Sequence, residues 1–490
     1  MFYPNLEDVR KLSEKFNIIP VCAEYYADTE TPISVFKKIE SEHYCFLLES
    51  VEGSKEMARY SFLGRNPFLT FQSKGDNIKI TNADGEVTEY TGDPFSKLRE
   101  FCEKYRSPSL PELPVFSGGA VGYFGYDTVR RFEKLLNPPH DDLNLPEIHF
   151  MFMDEIIAFD HLKQKIIIIV NLHKTGNLQT QYSRAQRRIS EIKSELDGFV
   201  KKQPAAVQYR DFPVIKSSMT RGEYCDIVKR AKEYIKNGDI FQVVLAQRFS
   251  AKISVDPLNV YRAMRVINPS PYMYYLKFDS YQIAGSSPEL LVSVKNGVVK
   301  TSPIAGSKKR GTTQEIDDAL AAELKEDPKE NAEHVMLVDL GRNDIGKVSE
   351  FGSVRVTNFK YILRFSHIMH MVSDVEGRLC PGKTAFDALS AALPAGTLSG
   401  APKVRAMEII DEFETVRRGC YGGAISYIGF NGNFDSCITI RTAVFKDKHA
   451  YIGAGAGIVY DSVPETEYEE TLNKAAAIFK AIEEAGEITD

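Results

Sequence analysis

The chain has 490 residues, of which 43% are hydrophobic and 26% charged, and its net charge is −6. This composition is typical of a globular protein with room for two or three domains, and the mild acidity argues against nucleic acid as a partner. The longest apolar run, Ile166–Val170, is too short to span a bilayer, and the start at Met1 has no secretion signal. Seven scattered cysteines without a CxxC pair favour free thiols in a reducing cytoplasm over disulfides or zinc, and no membrane partner is expected.

Helix and strand signals alternate through the first 200 residues. A helix is predicted over Thr31–Ile39, where Pro32 occupies an N1-like position. A short apolar strand over 43–50 ends in Glu49-Ser50. Alternating apolar residues separated by turn signals predict strands over 68–73, 77–81, 87–90, 117–125, 151–160 and 165–171, and a helix over 181–200.

The best linker candidate begins at Lys201, in Lys-Lys-Gln-Pro-Ala-Ala, and continues as irregular sequence to Ser218. We therefore divide the chain into an N-terminal region over 1–205 and a C-terminal region over 216–490. The sequence leaves open whether these regions form separate domains or pack into one body.

The C-terminal region carries the stronger structural signals. Thr220 and Glu223 form a capping box that begins a helix running to about Asn237. Antiparallel strand signals outnumber any βαβ alternation, which predicts an α+β fold with large sheets. The other predicted elements are a strand over 239–249, a helix over 256–267, a strand pair near 273–294, and helices over 314–338 and 384–392.

One stretch near the C-terminus, residues 453–475, combines an anion cradle with acidic side chains. Glycines alternate with alanines over 453–457, so backbone N–H groups can approach an anion closely. The helix that follows carries Glu467 and Glu470 on one face. A divalent cation that bridges these carboxylates to a substrate carboxylate would explain the combination. The alternative is a strand, a turn and a helix with no ligand role. In that case the acidic residues of the first helical turn are favoured by the helix dipole.

A second carboxylate pair, Glu330 and Glu333, lies on a predicted helix that also carries Val335, Leu337 and Val338. These apolar residues predict a largely buried helix, in which carboxylates are costly unless they are paired or bound to a metal. No HExxH motif or Cys/His cluster accompanies them, so oxygen ligands suggest magnesium, not zinc.

Three further candidate site residues are single side chains, not members of a carboxylate pair. Lys403 follows a Gly/Pro loop that lacks the P-loop spacing, and that loop suits a carboxylate ligand better than a triphosphate. His370 lies in a strand-like run, where a core histidine is the more common explanation. Arg441 also lies on a strand, where a structural ion pair is the default. The sequence contains no Gly-x-Ser-x-Gly elbow or glutaminase-like cysteine setting.

Taken together, these segments resemble the chorismate-utilising enzymes, and within them the large-subunit (component I) family of the anthranilate synthases. This resemblance implies large antiparallel sheets packed as a sandwich, with helices outside. It implies Mg²⁺-dependent conversion of chorismate and ammonia to anthranilate and pyruvate in tryptophan biosynthesis. The matching segments are PIAGSKKRG (303–311), EHVMLVDLGRNDIGKV (333–348), MHMVSDVEG (369–377), PAGTLSGAPKVRAMEII (394–410), YGGAISYIG (421–429) and residues 453–475.

The resemblance also implies partners. Ammonia would come from a separate glutamine amidotransferase subunit, in a heterotetramer with this chain. L-Tryptophan would act as a feedback inhibitor.

Site residues follow from the same resemblance, position by position. Glu333 and Glu470 match the magnesium ligands, with Glu330 and Glu467 in the outer environment of the metal. The matched catalytic residues are His370, Glu289 as the acid that protonates the departing C4 hydroxyl, and Glu330. The matched substrate contacts are Gly306, Ser307, Thr397, Lys403, Tyr421, Arg441, Gly455, Ala456 and Gly457.

Two positions discriminate within the family. Gln242 stands where isochorismate synthases carry a water-activating lysine, which favours ammonia as the nucleophile. Ala305 stands where aminodeoxychorismate synthases often carry a lysine, which favours anthranilate as the product. The alternatives are an aminodeoxychorismate synthase component I and a catalytically silent relative that binds tryptophan.

Two distant segments, around residues 48–50 and 268–273, resemble the family's regulatory pocket. Apolar surface suits an indole, while Glu49 and Ser50 suit the ammonium and carboxylate of an amino acid. The chain contains no tryptophan, which fits an enzyme that must be translated when its end product is scarce. The pocket is expected to comprise Glu49, Ser50, Pro271, Tyr272, Met273, Ile425 and Tyr427.

Overall fold

In the computed structural model, the chain forms two large antiparallel sheets. The structure describes residues 2–50, 59–198, 214–365 and 368–488. The predicted linker around Lys201 falls mostly outside these residues. Strands β1 to β11 are Phe2–Tyr3, Ile18–Tyr26, Cys45–Glu49, Tyr60–Arg65, Leu69–Lys74, Asn77–Asn82, Val87–Thr91, Gly119–Phe124, Ile148–Met153, Glu155–Asp160 and Lys165–His173. Strands β12 to β25 are Lys216–Ser217, Gln242–Lys252, Tyr272–Phe278, Tyr281–Ser287, Leu290–Lys295, Val298–Thr301, Ile304–Lys309, Arg355–Arg364, Ile368–Arg378, Gly400–Ala401, Ala424–Gly429, Phe434–Ile438, Thr442–Lys446 and His449–Ile458.

Helices connect these strands and cover the outer faces of the sheets. Short 3₁₀ turns lie at Tyr126–Arg131 and Gly396–Leu398. No helix among the described residues is long and apolar enough to cross a lipid bilayer. Helices α1 to α11 are Leu6–Leu12, Pro32–Ile39, Pro94–Glu103, Leu178–Leu196, Arg221–Lys236, Pro257–Ile267, Gln314–Glu326, Pro328–Gly346, Ala385–Ala392, Lys403–Phe413 and Pro464–Ala485.

The first sheet has 13 described strands in the order β1-β2-β11-β10-β4-β3-β14-β15-β24-β25-β13-β12, with β21 also on β13. The second has 12 described strands in the order β18-β20-β17-β16-β23-β22-β8-β9-β5-β6-β7, with β19 also on β20. Side chains such as Phe46, Tyr123 and Tyr274 fill the space between the sheets. Helices α2, α4, α6 and α11 pack on the outer face of the first sheet, and α3, α8 and α9 on that of the second. The predicted α+β sandwich with outer helices is confirmed.

Both sheets contain strands from either side of the predicted boundary at 205–216. β3 pairs with β14, where Leu48 lies opposite Tyr274. β8 pairs with β22, where Tyr123 lies opposite Ile425. These pairings favour one body over two separate cores.

Local sequence chemistry explains most element boundaries. The capping box of Thr220 and Glu223 begins α5 as predicted. The single helix predicted over 314–338 is instead two helices. The Asp327 side chain accepts hydrogen bonds from the N–H groups of Lys329 and Glu330 in the first turn of α8. Pro328 has no N–H, so it cannot continue the hydrogen bonding of α7. The strand predicted over 151–160 is also two, because the chain passes from β9 in the second sheet to β10 in the first at Asp154.

Candidate active site

A bulge in β18 places two predicted site residues beside each other. The pairing of β18 with β20 shifts register between Ala305 and Ser307, and Gly306 between them has φ +69°. That conformation favours glycine. A Cβ at Gly306 would lie 2.8 Å from a carboxylate oxygen of Glu330 on α8. The Gly306 carbonyl lies 3.3 Å from Nδ1 of His370 on β20. Gly306 therefore brings the histidine and the first carboxylate pair to one place.

His370 is a buried, neutral imidazole with one nitrogen left free. Burial, followed by the nearby Arg441 guanidinium, lowers the pKa of His370 to about 4. Nδ1–H donates to the Gly306 carbonyl, and Nε2 has no hydrogen-bond partner among the described residues. A buried ring nitrogen without a partner is costly in a purely structural histidine. Its free lone pair makes His370 a candidate base.

Glu289 is the complementary candidate acid. It lines a narrow cavity of about 50 Å³ together with Thr397 and Leu340. Burial raises the pKa of Glu289 to about 7, although Thr397 Oγ1 donates a hydrogen bond to its carboxylate at 3.1 Å. A carboxyl group that holds its proton near neutral pH can protonate a leaving group.

The Arg441 guanidinium is close enough to act on both of these groups. Its positive charge lowers the pKa of both Glu289 and His370. Burial lowers the pKa of the guanidinium itself. Its hydrogen bond goes to Asn268 Oδ1 at 3.3 Å, and no described carboxylate forms a salt bridge with it. The expected structural ion pair is therefore wrong, and the charge is available to an anionic ligand.

Neighbouring side chains explain the glycines of β25. A Cβ at Gly453 would lie 2.4 Å from Cγ of Tyr421, and one at Gly455 would lie 3.0 Å from the Tyr421 hydroxyl. A Cβ at Gly457 would lie 2.8 Å from Nε2 of Gln242. The close approach predicted for a ligand is thus made partly by protein side chains. Tyr421 and Gln242 stand at the cradle, and Ala456 is buried between the last two glycines.

One carboxylate pair lies in the first two turns of α8 and the other in the first two turns of α11. The charge of Lys329 acts on both Glu330 and Glu467. Burial raises the pKa of both carboxyl groups, and the neighbouring Glu333 and Glu470 add to the shift. Helix α8 is less buried than predicted, since Val335 is exposed.

The donor set of these helices suits magnesium, a cation that prefers carboxylate oxygens. Glu333 makes no hydrogen bond or ion pair with another described residue, whereas Glu470 pairs with Lys474 at 2.6 Å. In the described chain, no three acidic, histidine or cysteine side chains stand close enough to enclose a metal ion. Two partly buried, mutually repelling pairs would gain from a cation between them.

Lys403 does not reach the site as a free charge. Its ammonium pairs with Asp344 at 2.9 Å and lies 3.4 Å from the Ala392 carbonyl. Burial lowers the pKa of Lys403. The lysine therefore ties α10 to the end of α8, and the prediction that it meets a substrate carboxylate is not supported. Ser307, on the bulged strand, is exposed.

Lys474 belongs to the site and was not predicted. Its ammonium donates to the Gly455 carbonyl at 2.9 Å and pairs with Glu470. It also lowers the pKa of Glu289. The four-residue spacing from Glu470 on one helix was the available signal. The contact between Asn268 and Arg441 joins residues 173 positions apart, and no sequence signal pointed to it.

A second cavity, of about 170 Å³, collects the predicted regulatory residues. The β3–β14 ladder brings the two segments together, with Glu49 opposite Met273. The walls include Leu48, Glu49, Ser50, Pro271, Tyr272, Met273, Ile425 and Tyr427.

The role predicted for Glu49 is not supported. One carboxylate oxygen accepts from the Tyr261 hydroxyl at 2.6 Å, and Arg265 forms an ion pair with the same group at 2.9 Å. Both partners lie on α6, so this carboxylate anchors the helix to β3. Asp435, which accepts from the Tyr272 hydroxyl at 3.1 Å, is another carboxylate of the cavity wall.

Comparison with known proteins agrees with this geometry. Residues 43–480 match the family described as chorismate binding enzyme. The chain is 57% identical to anthranilate synthase component 1 of Acetivibrio thermocellus, over 100% of both chains. It is 47% identical to the component 1 protein of Aquifex aeolicus, over 99% of this chain and 98% of the relative.

Solved structures agree as well. Anthranilate synthase component I from Streptococcus pneumoniae superimposes with a TM-score of 0.77 at 40% identity, covering 93% of this chain and 98% of the other. The menaquinone-specific isochorismate synthase from Escherichia coli, at 17% identity and a TM-score of 0.72, shares the fold over 98% of both chains.

The sandwich fold is that of a chorismate-utilising enzyme. The chain belongs to the chorismate-binding enzyme family, in the branch of the anthranilate synthase component 1 proteins.

Proposed function

We propose that the chain converts chorismate and ammonia to anthranilate and pyruvate, as the component that carries the chorismate chemistry in tryptophan biosynthesis. The observation that carries this proposal is Arg441, a buried guanidinium that has no carboxylate ion-pair partner among the described residues and whose charge acts on both Glu289 and His370. Chorismate has two carboxylates, and its conversion requires an acid for the C4 hydroxyl and a base for a ring proton.

The reaction divides into two steps. Ammonia adds to C2 of the ring while the C4 hydroxyl leaves as water, with its proton supplied by Glu289. His370 Nε2 then takes the C2 proton, the enolpyruvyl C–O bond breaks, and the methylene carbon is protonated as pyruvate leaves. Gln242, an amide beside Gly457, cannot act as a base toward water at neutral pH, which supports ammonia as the nucleophile. The identity of the product formed from chorismate and ammonium tests this assignment.

Substrate binding would use the residues around the cradle. Arg441, Tyr421, Thr397 and the backbone of 455–457 would contact carboxylates and hydroxyls of chorismate, beside Gly306 and Ser307. Magnesium, held by Glu333 and Glu470 with Glu330 and Glu467 behind them, would neutralise the charge of the ring carboxylate.

Seven free cysteines are consistent with work in the cytoplasm. We further propose that an amidotransferase subunit supplies ammonia in a heterotetramer.

The pH dependence of kcat/KM for chorismate is expected to report this acid and this base. Rates are first divided by the concentration of unprotonated ammonia, because that concentration itself rises with pH. The corrected value should fall as pH rises through about 7, since Glu289 then loses the proton it must donate. It should also fall as pH drops through about 4, where His370 becomes protonated.

A conservative change at Thr397 should shift the high-pH limb of this kcat/KM profile in a defined direction. The Thr397 hydroxyl stabilises the ionised form of Glu289, so Thr397→Val should shift this limb to higher pH, while Thr397→Ser should leave it in place. An upper limb that does not move in Thr397→Val would remove Glu289 from the acid role.

Feedback inhibition by L-tryptophan is proposed for the second cavity, because the segments expected for it line one space. Ser50→Phe and Met273→Thr are expected to raise the tryptophan concentration for half-inhibition at least fivefold, with uninhibited turnover within twofold of normal. Ser194→Phe, at an exposed position on α4, is the control. Absence of tryptophan binding to the unaltered chain in calorimetry, or equal inhibition of all three variants, would contradict the site.

A further inference from the structure

Four exposed apolar residues lie on chain segments that come together at one end of the paired strands β13 and β25. Phe241 is 74% exposed, Tyr460 63% and Val463 52%, and Val404 at the start of α10 is also exposed. We call these four residues the mouth patch. Solvent-exposed apolar residues on separate segments that gather in one place mark a contact surface more often than single ones do.

Backbone pairing brings these segments together. Val243 lies opposite Ile458 in the β13–β25 ladder, so Phe241 and Tyr460 leave the ladder at the same end. The Phe241 N–H donates to the Ala401 carbonyl at 2.7 Å, two residues before α10 begins. Val463 is the N-cap of α11. The mouth patch is therefore built on paired strands and helix starts.

The mouth patch borders the active site. Gln242, next to Phe241, contacts the cradle at Gly457. The Val463 carbonyl accepts from the N–H of Glu467, which belongs to the second carboxylate pair. A protein bound here would cover the space beside both the cradle and the acidic turns.

Six of the seven cysteines lack a thiol that is activated for glutamine hydrolysis. A glutaminase nucleophile needs a lowered pKa. Burial instead raises the pKa of Cys22, Cys45, Cys102, Cys225, Cys420 and Cys437. These six thiols are therefore unsuited to glutamine hydrolysis, which favours an ammonia source outside the chain.

We propose that the mouth patch is the docking surface of the glutamine amidotransferase subunit. This proposal rests on the proposed function. Ammonia released into water at neutral pH is mostly protonated and no longer nucleophilic, so a donor subunit works best against the site entrance. Exposed Asp461 and Glu465 flank the patch, and the partner surface should therefore combine an apolar centre with basic residues at its rim.

The test measures glutamine-dependent and ammonium-dependent anthranilate formation by the full chain. The glutamine amidotransferase subunit (component 2) of the same organism is titrated in, and its Kd is measured by calorimetry. Phe241→Asp and Tyr460→Asp should each raise the subunit concentration for half-maximal glutamine-dependent turnover, and the Kd, at least tenfold. Ammonium-dependent turnover should stay within twofold. Phe351→Asp, at a fully exposed phenylalanine between α8 and β19, is the matched control and should behave as the unaltered chain.

Unchanged Kd values in both patch variants, or equal weakening in Phe351→Asp, would overturn the docking surface. If the unaltered chain made no anthranilate from ammonium, the proposed function would fail. The Kd values would still decide the surface, because weakening confined to the patch variants supports it without any turnover.

Discussion

His370→Ala is expected to lower kcat for anthranilate formation by roughly a hundredfold to ten-thousandfold. The imidazole is neutral, its Nδ1–H donates to the Gly306 carbonyl, and Nε2 has no partner among the described residues. Chorismate carboxylates would offset the charge of Arg441, which helps to hold the pKa of His370 low. The bound substrate should therefore make this histidine a stronger base than it is in the free enzyme.

The effect should fall on the elimination step, so pyruvate release is the quantity to measure. Amination uses Glu289, and some aminated intermediate should still accumulate in the variant. His449→Ala, at the start of β25, is a control that should keep normal turnover. Unchanged pyruvate release in His370→Ala would make this residue a structural histidine.

Glu333→Gln and Glu470→Gln are each expected to lower Mg²⁺-dependent turnover by about a hundredfold or more. Each change keeps the shape of the side chain and removes one charge from the two carboxylate pairs. The measurement is turnover as a function of Mg²⁺ concentration, together with Tm to confirm folding. Loss of one member of a repelling set should not destabilise the metal-free protein.

Glu469→Gln is the matched control on the same helix. Its side chain is 52% exposed and lies 3.5 Å from Arg221, away from the site. It should retain normal turnover at all Mg²⁺ concentrations. Normal turnover of Glu333→Gln at ordinary Mg²⁺ would show that the ligand assignment is wrong.

Sequence patterns predicted much of the fold, because local chemistry decides many element boundaries. The capping box at Thr220 and the N1 proline at Pro32 begin helices where expected. The period-two strands predicted over 68–73 and 77–81 form β5 and β6, which pair with each other. The break between α7 and α8 had a sequence signal, because Asp-Pro at 327–328 is typical of a helix start. The apolar periodicity continues across Pro328, however, and it suggested a single helix.

Partners that lie far apart in the chain limited the prediction of the site. Lys403 and Glu49 were expected to meet ligands because of their residue types. Their charges are taken by Asp344 and by Arg265, which are 59 and 216 positions away. The bulge at Gly306 could not be located either, because a register shift depends on both strands. Residues such as Glu289 and Tyr421 entered the prediction only through the resemblance to a family, because spacing did not single them out.

The most direct test of the account is the identity of the product formed from chorismate. The purified chain is incubated with chorismate, Mg²⁺ and ¹⁵N-labelled ammonium, and the products are identified by NMR and mass spectrometry. We expect ¹⁵N-anthranilate and pyruvate in equal amounts, with none formed when glutamine alone replaces ammonium. Accumulation of aminodeoxychorismate without release of pyruvate would contradict the account.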